Sequence, residues 1–198
     1  ITRPEQIIQS LPQAIQTMLD PADTGPACLS LCQDVQGEIF DYPEEFFKER
    51  IHNIRRPKPD DFQIKQAMEK IKKSKKPIII SGGGVFYSDA MDELGSFAIK
   101  HNIPVTQTVM GYSTMKRDHS HFLGPIGGLG GKAANNMAKK TDLAIAVGTK
   151  LADFTTGSWA NFENPNFKLV SINAARFDAN KHICLLYTSD AADEAIGV

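Results

Sequence analysis

The sequence predicts an α/β fold: a doubly wound, mostly parallel sheet with helices on both faces, preceded by the end of another α/β domain. Two observations carry this. The runs KPIIISGGGV (Lys76–Val85) and TDLAIAVGTKL (Thr141–Leu151) are apolar enough for fully buried strands, and each stops at glycine. Each adjoins a stretch of helical periodicity, and that alternation builds parallel sheets covered on both sides.

The elements follow in order. Thr2 and Glu5 have capping-box spacing and open a helix with the stripe Ile7, Ile8, Leu11, Ile15, Met18 and Leu19. Pro12 predicts a kink in it or a late start. Asp20-Pro21 and Thr24-Gly25-Pro26 end it. Ala27–Leu31 reads as a short apolar strand, with Cys28 and Cys32 on one side as small core residues. A short helix is expected after Asp41, and then an extended linker stiffened by Pro57 and Pro59. Asp60 or Asp61 caps the next helix, which carries Phe62, Ile64, Ala67, Met68 and Ile71. Strand Pro77–Ile80, helix Ser88–His101, strand Ile103–Val109, helix Lys132–Lys140 and strands Leu143–Val147 and Lys168–Ile172 complete the unit. One helix and one strand bury too little for a core, so residues 1 to about 50 are expected to be the end of a larger domain.

Composition narrows the function. The chain is 41% hydrophobic and 23% charged with net charge −1, the balance of a globular protein. Mixed charges give no footprint for nucleic acid or an anionic membrane. The most basic stretch, Lys70–Lys76, falls at a helix end, where cations are favoured. No apolar run approaches the ~20 residues of a membrane helix, and no leader pattern opens the chain. Three cysteines, an odd number, point to a reducing compartment, so the expected location is cytoplasmic.

The glycine clusters are the candidate ligand sites. Gly82, Gly83 and Gly84 stand between a strand and a helix, the place of a nucleotide-binding turn. Tyr87 occupies the position where the dinucleotide fingerprint needs its third glycine, and Thr106 and Gln107 stand where an acidic ribose ligand belongs. Close backbone packing is therefore the stronger reading. Gly127 and Gly128 lead through Gly131 to Lys132, a near miss for a phosphate loop: Ile126 replaces its first glycine and Ala133 its magnesium-binding hydroxyl. An anion site at that helix start and a structural turn both stay open. Asp118, His119 and His121 lack further ligands at zinc spacing and read as loop residues. Asp34, Asp153 and Asp178 fall at strand ends, where turns and caps are common. No catalytic residue and no metal ligand is assigned.

Longer segments carry a resemblance. GPACLSLCQDVQGE, KPIIISGGGV, NIPVTQTVMGYSTMKRDHSHFLGPIG and DLAIAVGTKLADFTTGSW follow in the order found in thiamine-diphosphate-dependent enzymes of the acetolactate synthase type. The chain resembles that family from about residue 1 to His182. The resemblance implies that residues 1–50 end a pyrimidine-binding domain, 51–60 are a linker and 61–182 form a Rossmann-like central domain. Residues 183–198, which include the adapter-like piece CLLYTSDAADE, are expected to be a non-native tail. Within the family, DVQGEIFDYPEEFFKERIHNIRRP and NAARFDANKH look most like the inositol-breakdown hydrolase branch, which implies a small cyclic dione opened by water.

Ile126 and Phe154 stand where acetolactate synthases carry the histidine and arginine that help hold FAD. Their replacement weighs against FAD and towards the hydrolase. Cys32 stands where relatives usually have proline. The cofactors so implied are thiamine diphosphate and Mg2+, bound in the full-length enzyme by residues outside this chain. The activating glutamate would lie upstream and the Gly-Asp-Gly metal motif downstream, so the isolated chain is expected to be inactive. A homo-oligomer is implied when full length. An acetolactate synthase fragment, a non-catalytic nucleotide-binding module and a structural assembly domain stay as alternatives.

Overall fold

The computed structural model describes residues 1–54, 56 and 58–182. The chain divides into two compact units, Ile1–Arg56 and Pro57–Val198, and the division falls within the 51–60 segment.

In the first unit, α1 (Ile7–Met18) follows a 3-10 turn, Pro4–Gln6, and holds Pro12 within it. Gln6, not Glu5, closes its start: Gln6 Oε1 accepts the backbone N–H groups of Thr2 (2.7 Å) and Arg3 (3.3 Å). Among the described residues the strand expected at Ala27–Leu31 does not form: Ile1 donates to Ser30 O (2.6 Å) and accepts from Cys32 N–H (3.3 Å), and one residue is too short a partner for a ladder. Its cysteines correct the core expectation: Cys28 and Cys32 are exposed free thiols.

The second unit begins with α2 (Asp61–Lys73), capped by Asp60, whose carboxylate accepts the Gln63 N–H at 2.8 Å. Then come β1 (Pro77–Ser81), α3 (Gly83–Tyr87), α4 (Met91–His101), β2 (Val105–Gln107), β3 (Phe122–Pro125), α5 (Lys132–Lys140), β4 (Leu143–Val147), α6 (Asp153–Thr156), β5 (Lys168–Ile172) and α7 (Arg176–Asn180). The five strands form one sheet in the order β3-β2-β1-β4-β5, every pair parallel. This is the doubly wound α/β order, with its switch point between β1 and β4.

The two-residue period of the strands explains the two layers. Ile79 and Ile145 turn to one face, where α2 and α4 bring Ala67, Leu94 and Ala98. Ile78, Ile80, Ala144 and Ala146 turn to the other, under Ala134 and Ala138 of α5 and the aromatics Trp159, Phe162 and Phe167. A strand buried on both faces has no polar side to show, which is why β1 and β4 read as continuous apolar runs. Each of the three isoleucines of β1 is almost wholly buried, worth about 1.5–3 kcal/mol apiece. At the amino edge, Asp142 ties α2 to β4. Its carboxylate accepts the Ser74 hydroxyl and the N–H groups of Lys75 (2.8 Å) and Lys76 (2.9 Å). Among the described residues no helix is long and apolar enough to cross a membrane.

Candidate functional site

The carboxyl edge of the sheet gathers the candidate glycines, since every strand of a parallel sheet ends on the same side. At the β1–β4 switch point the two strand ends close on each other. Gly82 N–H donates to Val147 O (2.8 Å) and Gly84 N–H to Gly148 O (2.9 Å). A Cβ on Gly82 would lie 2.3 Å from Gly148 O, and one on Gly84 would lie 2.6 Å from Gly148 Cα. Gly148 itself has φ +59° and donates to Ile172 O at 2.7 Å. Beside it, buried Ser81 hydrogen-bonds Thr114 Oγ1 (2.7 Å) and donates to Thr106 O (3.1 Å), fastening the 108–121 segment to β1.

The second glycine loop is also closed on itself. Gly127, at φ +101°, donates to Asn135 Oδ1, and Asn135 Nδ2 donates back to Gly127 O, both at 3.0 Å. Gly128 N–H reaches Phe154 O at 2.9 Å, and a Cβ on Gly128 would meet the Phe154 ring at 3.5 Å. Gly130 donates to Gly127 O (2.8 Å) and Gly131 to Pro125 O (2.9 Å). Four of the five candidate glycines, Gly82, Gly84, Gly127 and Gly128, thus have amides committed to acceptors within the chain, where a phosphate cradle needs them free. Lys132 opens α5 and is exposed.

Asp118, His119 and His121 do not converge at this edge. His121 sits at the amino end of β3, where its Nε2 meets Asn102 Oδ1 (3.0 Å) and its backbone N–H donates to His119 Nδ1 (3.2 Å). Asp34 flanks a 3-10 turn, Asp153 opens α6 and accepts the Ser158 hydroxyl (3.1 Å), and Asp178 pairs with Lys150 (3.7 Å) and Lys181 (3.3 Å). Among the described residues no group of three His, Cys, Asp or Glu side chains is placed to hold a metal ion. The donor set therefore does not fit a magnesium diphosphate. The committed loop amides and the Phe154 ring over Gly128 do not fit a flavin pyrophosphate either.

Sequence reasoning missed Asn135 here, and the roles of Gly148 and Gln107. Asn135 clamps the second loop, and its only signal was an amide side chain in the first turn of a helix that follows glycines. Gly148, the glycine that ends the second apolar run, is the partner that forces glycine at 82 and 84. Gln107, noted in the sequence only for standing where an acidic ribose ligand belongs, is buried at 7% exposure with no partner for its Oε1 among the described residues.

The profile of the "thiamine pyrophosphate enzyme, central domain" matches residues 64–193. The chain belongs to the thiamine pyrophosphate enzyme family. Curated relatives named 3D-(3,5/4)-trihydroxycyclohexane-1,2-dione hydrolase resemble it over most of its length. The protein of Clostridium botulinum (strain Eklund 17B / Type B) is 48% identical over 181 residues, 91% of this chain and 28% of the relative. That of Clostridium perfringens (strain 13 / Type A) is 46% identical, with the same coverage. That of Bacillus cereus (strain AH820) is 42% identical over 198 residues, all of this chain and 31% of the relative. The chain spans about three tenths of these relatives. Among solved structures, a protein assigned as a thiamin diphosphate-dependent enzyme from Mycobacterium smegmatis matches with TM-score 0.63 and 22% identity. The match covers 86% of this chain and 32% of that one. At that identity it speaks for the fold alone.

Proposed function

We propose that this chain is the central, non-catalytic portion of a thiamine-diphosphate-dependent hydrolase that opens the ring of 3D-(3,5/4)-trihydroxycyclohexane-1,2-dione in inositol breakdown. The observation that carries the reading is 48% identity over 181 residues to relatives of that name. The sealed carboxyl edge supports a scaffolding role: the glycines Gly82, Gly84, Gly127 and Gly128 serve backbone packing, and Gly83 begins the helix that continues that packing. No step of the carbon–carbon cleavage is assigned to a side chain of this chain. Thiamine diphosphate and Mg2+ would be held elsewhere in the longer protein and supply the electron sink for that cleavage. The longer protein is further inferred to be a cytoplasmic homo-oligomer without flavin.

Two assays test this. The 198-residue chain, supplied with thiamine diphosphate, Mg2+ and the dione, is expected to give no turnover; turnover would place catalytic groups within it. A protein of the relatives' full length is expected to hydrolyse the dione. Failure there, together with flavin absorbance in the purified protein, would favour an acetolactate synthase instead.

A further inference from the structure

We propose that the amino edge of the sheet is a docking surface for an acidic segment of a partner polypeptide. Two loops meet there, residues 74–76 from α2 to β1 and residues 141–142 from α5 to β4. They are far apart in sequence, but β1 and β4 are neighbours, with Pro77 opposite Leu143. They are also fastened to each other. Thr141 Oγ1 donates to Lys76 O at 2.5 Å, and the Asp142 carboxylate accepts from Ser74, Lys75 and Lys76. Lys72, Lys75, Lys76 and Lys140 are exposed on this platform and have no carboxylate partner among the described residues. Lys73 and Lys139 lean on Glu69 (3.9 Å) and Glu163 (2.6 Å). The dipole of α2 accounts for Lys72, but Lys75 and Lys76 lie past the helix end.

The chain enters and leaves this unit at the opposite edge. α2 begins beside the carboxyl ends of the strands, where Pro59 and Ile64 share a hollow with Val147 and Ile172. The described chain ends with His182 against Leu151 O (3.0 Å), just past the carboxyl end of β4. β1 and β4 have strands on both sides, so the patch lies mid-edge. Its chemistry selects the partner. The last carbonyls of α2 and α5 face this way with partial negative charge, and the Lys75 and Lys76 amides are committed to Asp142, so there is no backbone cradle for a phosphate. Neither loop holds an arginine fork for phosphate or an aromatic platform for bases. No large apolar side chain is exposed in residues 72–77 or 138–143 to anchor a lipid surface. Ammonium groups on flexible stems suit carboxylates presented in succession along an extended chain. Five strand starts ~4.8 Å apart span about 19 Å, the length of roughly six extended residues. The inference is independent of the hydrolase reading.

Fluorescence anisotropy of a labelled oligoglutamate of about eight residues, titrated with the 198-residue chain, tests it. The expected result is saturable binding at about 0.01 M salt that weakens at least about tenfold at about 0.15 M, as the Debye length falls from about 30 Å to about 8 Å. The Lys75→Gln/Lys76→Gln/Lys140→Gln variant changes only exposed side chains and is expected to weaken the peptide about tenfold. Lys58→Gln/Lys65→Gln/Lys132→Gln removes the same charge from exposed positions away from this edge and should weaken it less than about threefold. Far-UV circular dichroism checks that both variants keep the fold. A protein of the relatives' full length should bind the peptide as this chain does. The proposal would be overturned by any of four results: no saturable binding, a full-length protein that does not bind, equal weakening in the two variants, or tighter binding of linear polyphosphate, oligothymidine or phosphatidylserine vesicles than of the peptide.

Discussion

At the scale of single residues, the molecule depends on places where a side chain is either forbidden or held by several donors. Gly148 and Gly84 are of the first kind: each lies where the other's Cβ would go, and Gly148 also sits at positive φ. Gly148→Ala combines left-handed strain with overpacking, so a loss of about 2–5 kcal/mol is expected. Urea unfolding measures it, with Gly25→Ala, which meets nothing within 4 Å, as the neutral control. Asp142 is of the second kind. Burial raises its pKa, but hydrogen bonds from Ser74, Lys75, Lys76 and its own amide outweigh that and hold the carboxyl below its ordinary value of 3.8. A depressed carboxyl contributes stability that is present above its unfolded pKa and lost as pH falls through the folded one. Asp142→Asn should therefore be less stable than the parent near pH 7. The gap should narrow between about pH 5 and pH 3. Urea midpoints that stay equally far apart at both ends of that range would contradict this.

At the scale of elements, the caps explain where helices begin and end. Asp60→Ala removes the side-chain acceptor for Gln63 N–H and should cost about 1 kcal/mol. Asn102 closes α4 in the left-handed region at φ +52°. Asn102→Gly should keep that turn and lose only the His121 hydrogen bond, whereas Asn102→Ala should lose both and unfold at lower urea. Legibility followed burial. β1, β4 and β5 could be read from the sequence because strands covered on both faces leave long apolar runs, and α5 because its lysine-rich end and preceding glycines mark both boundaries. β3 was missed because Phe122–Pro125 holds a glycine and a proline and is only half buried. Ala27–Leu31 misled for the opposite reason: its residues favour a strand, but backbone groups need a ladder partner, and local propensity does not supply one. The glycine clusters were located correctly from sequence, yet their partners, Gly148 and Asn135, are brought to them only by the tertiary fold.

At the scale of the whole chain, both hydrophobic layers and all five strands found among the described residues lie in the second unit. A chain that starts at residue 58 should therefore keep the cooperative unfolding of the sheet, with the same near-ultraviolet signal from Trp159. Loss of that transition on removing residues 1–57 would show that the core needs the first unit. The sheet also bears on how such molecules behave when crowded. Ile126 donates to Gln107 O, so alternation along β3 turns the nitrogen of Pro125 away from β2, towards the outer rim. A foreign strand laid there would find a rung missing where proline has no hydrogen to give. That gap guards this rim against the stacking that leads to fibrils.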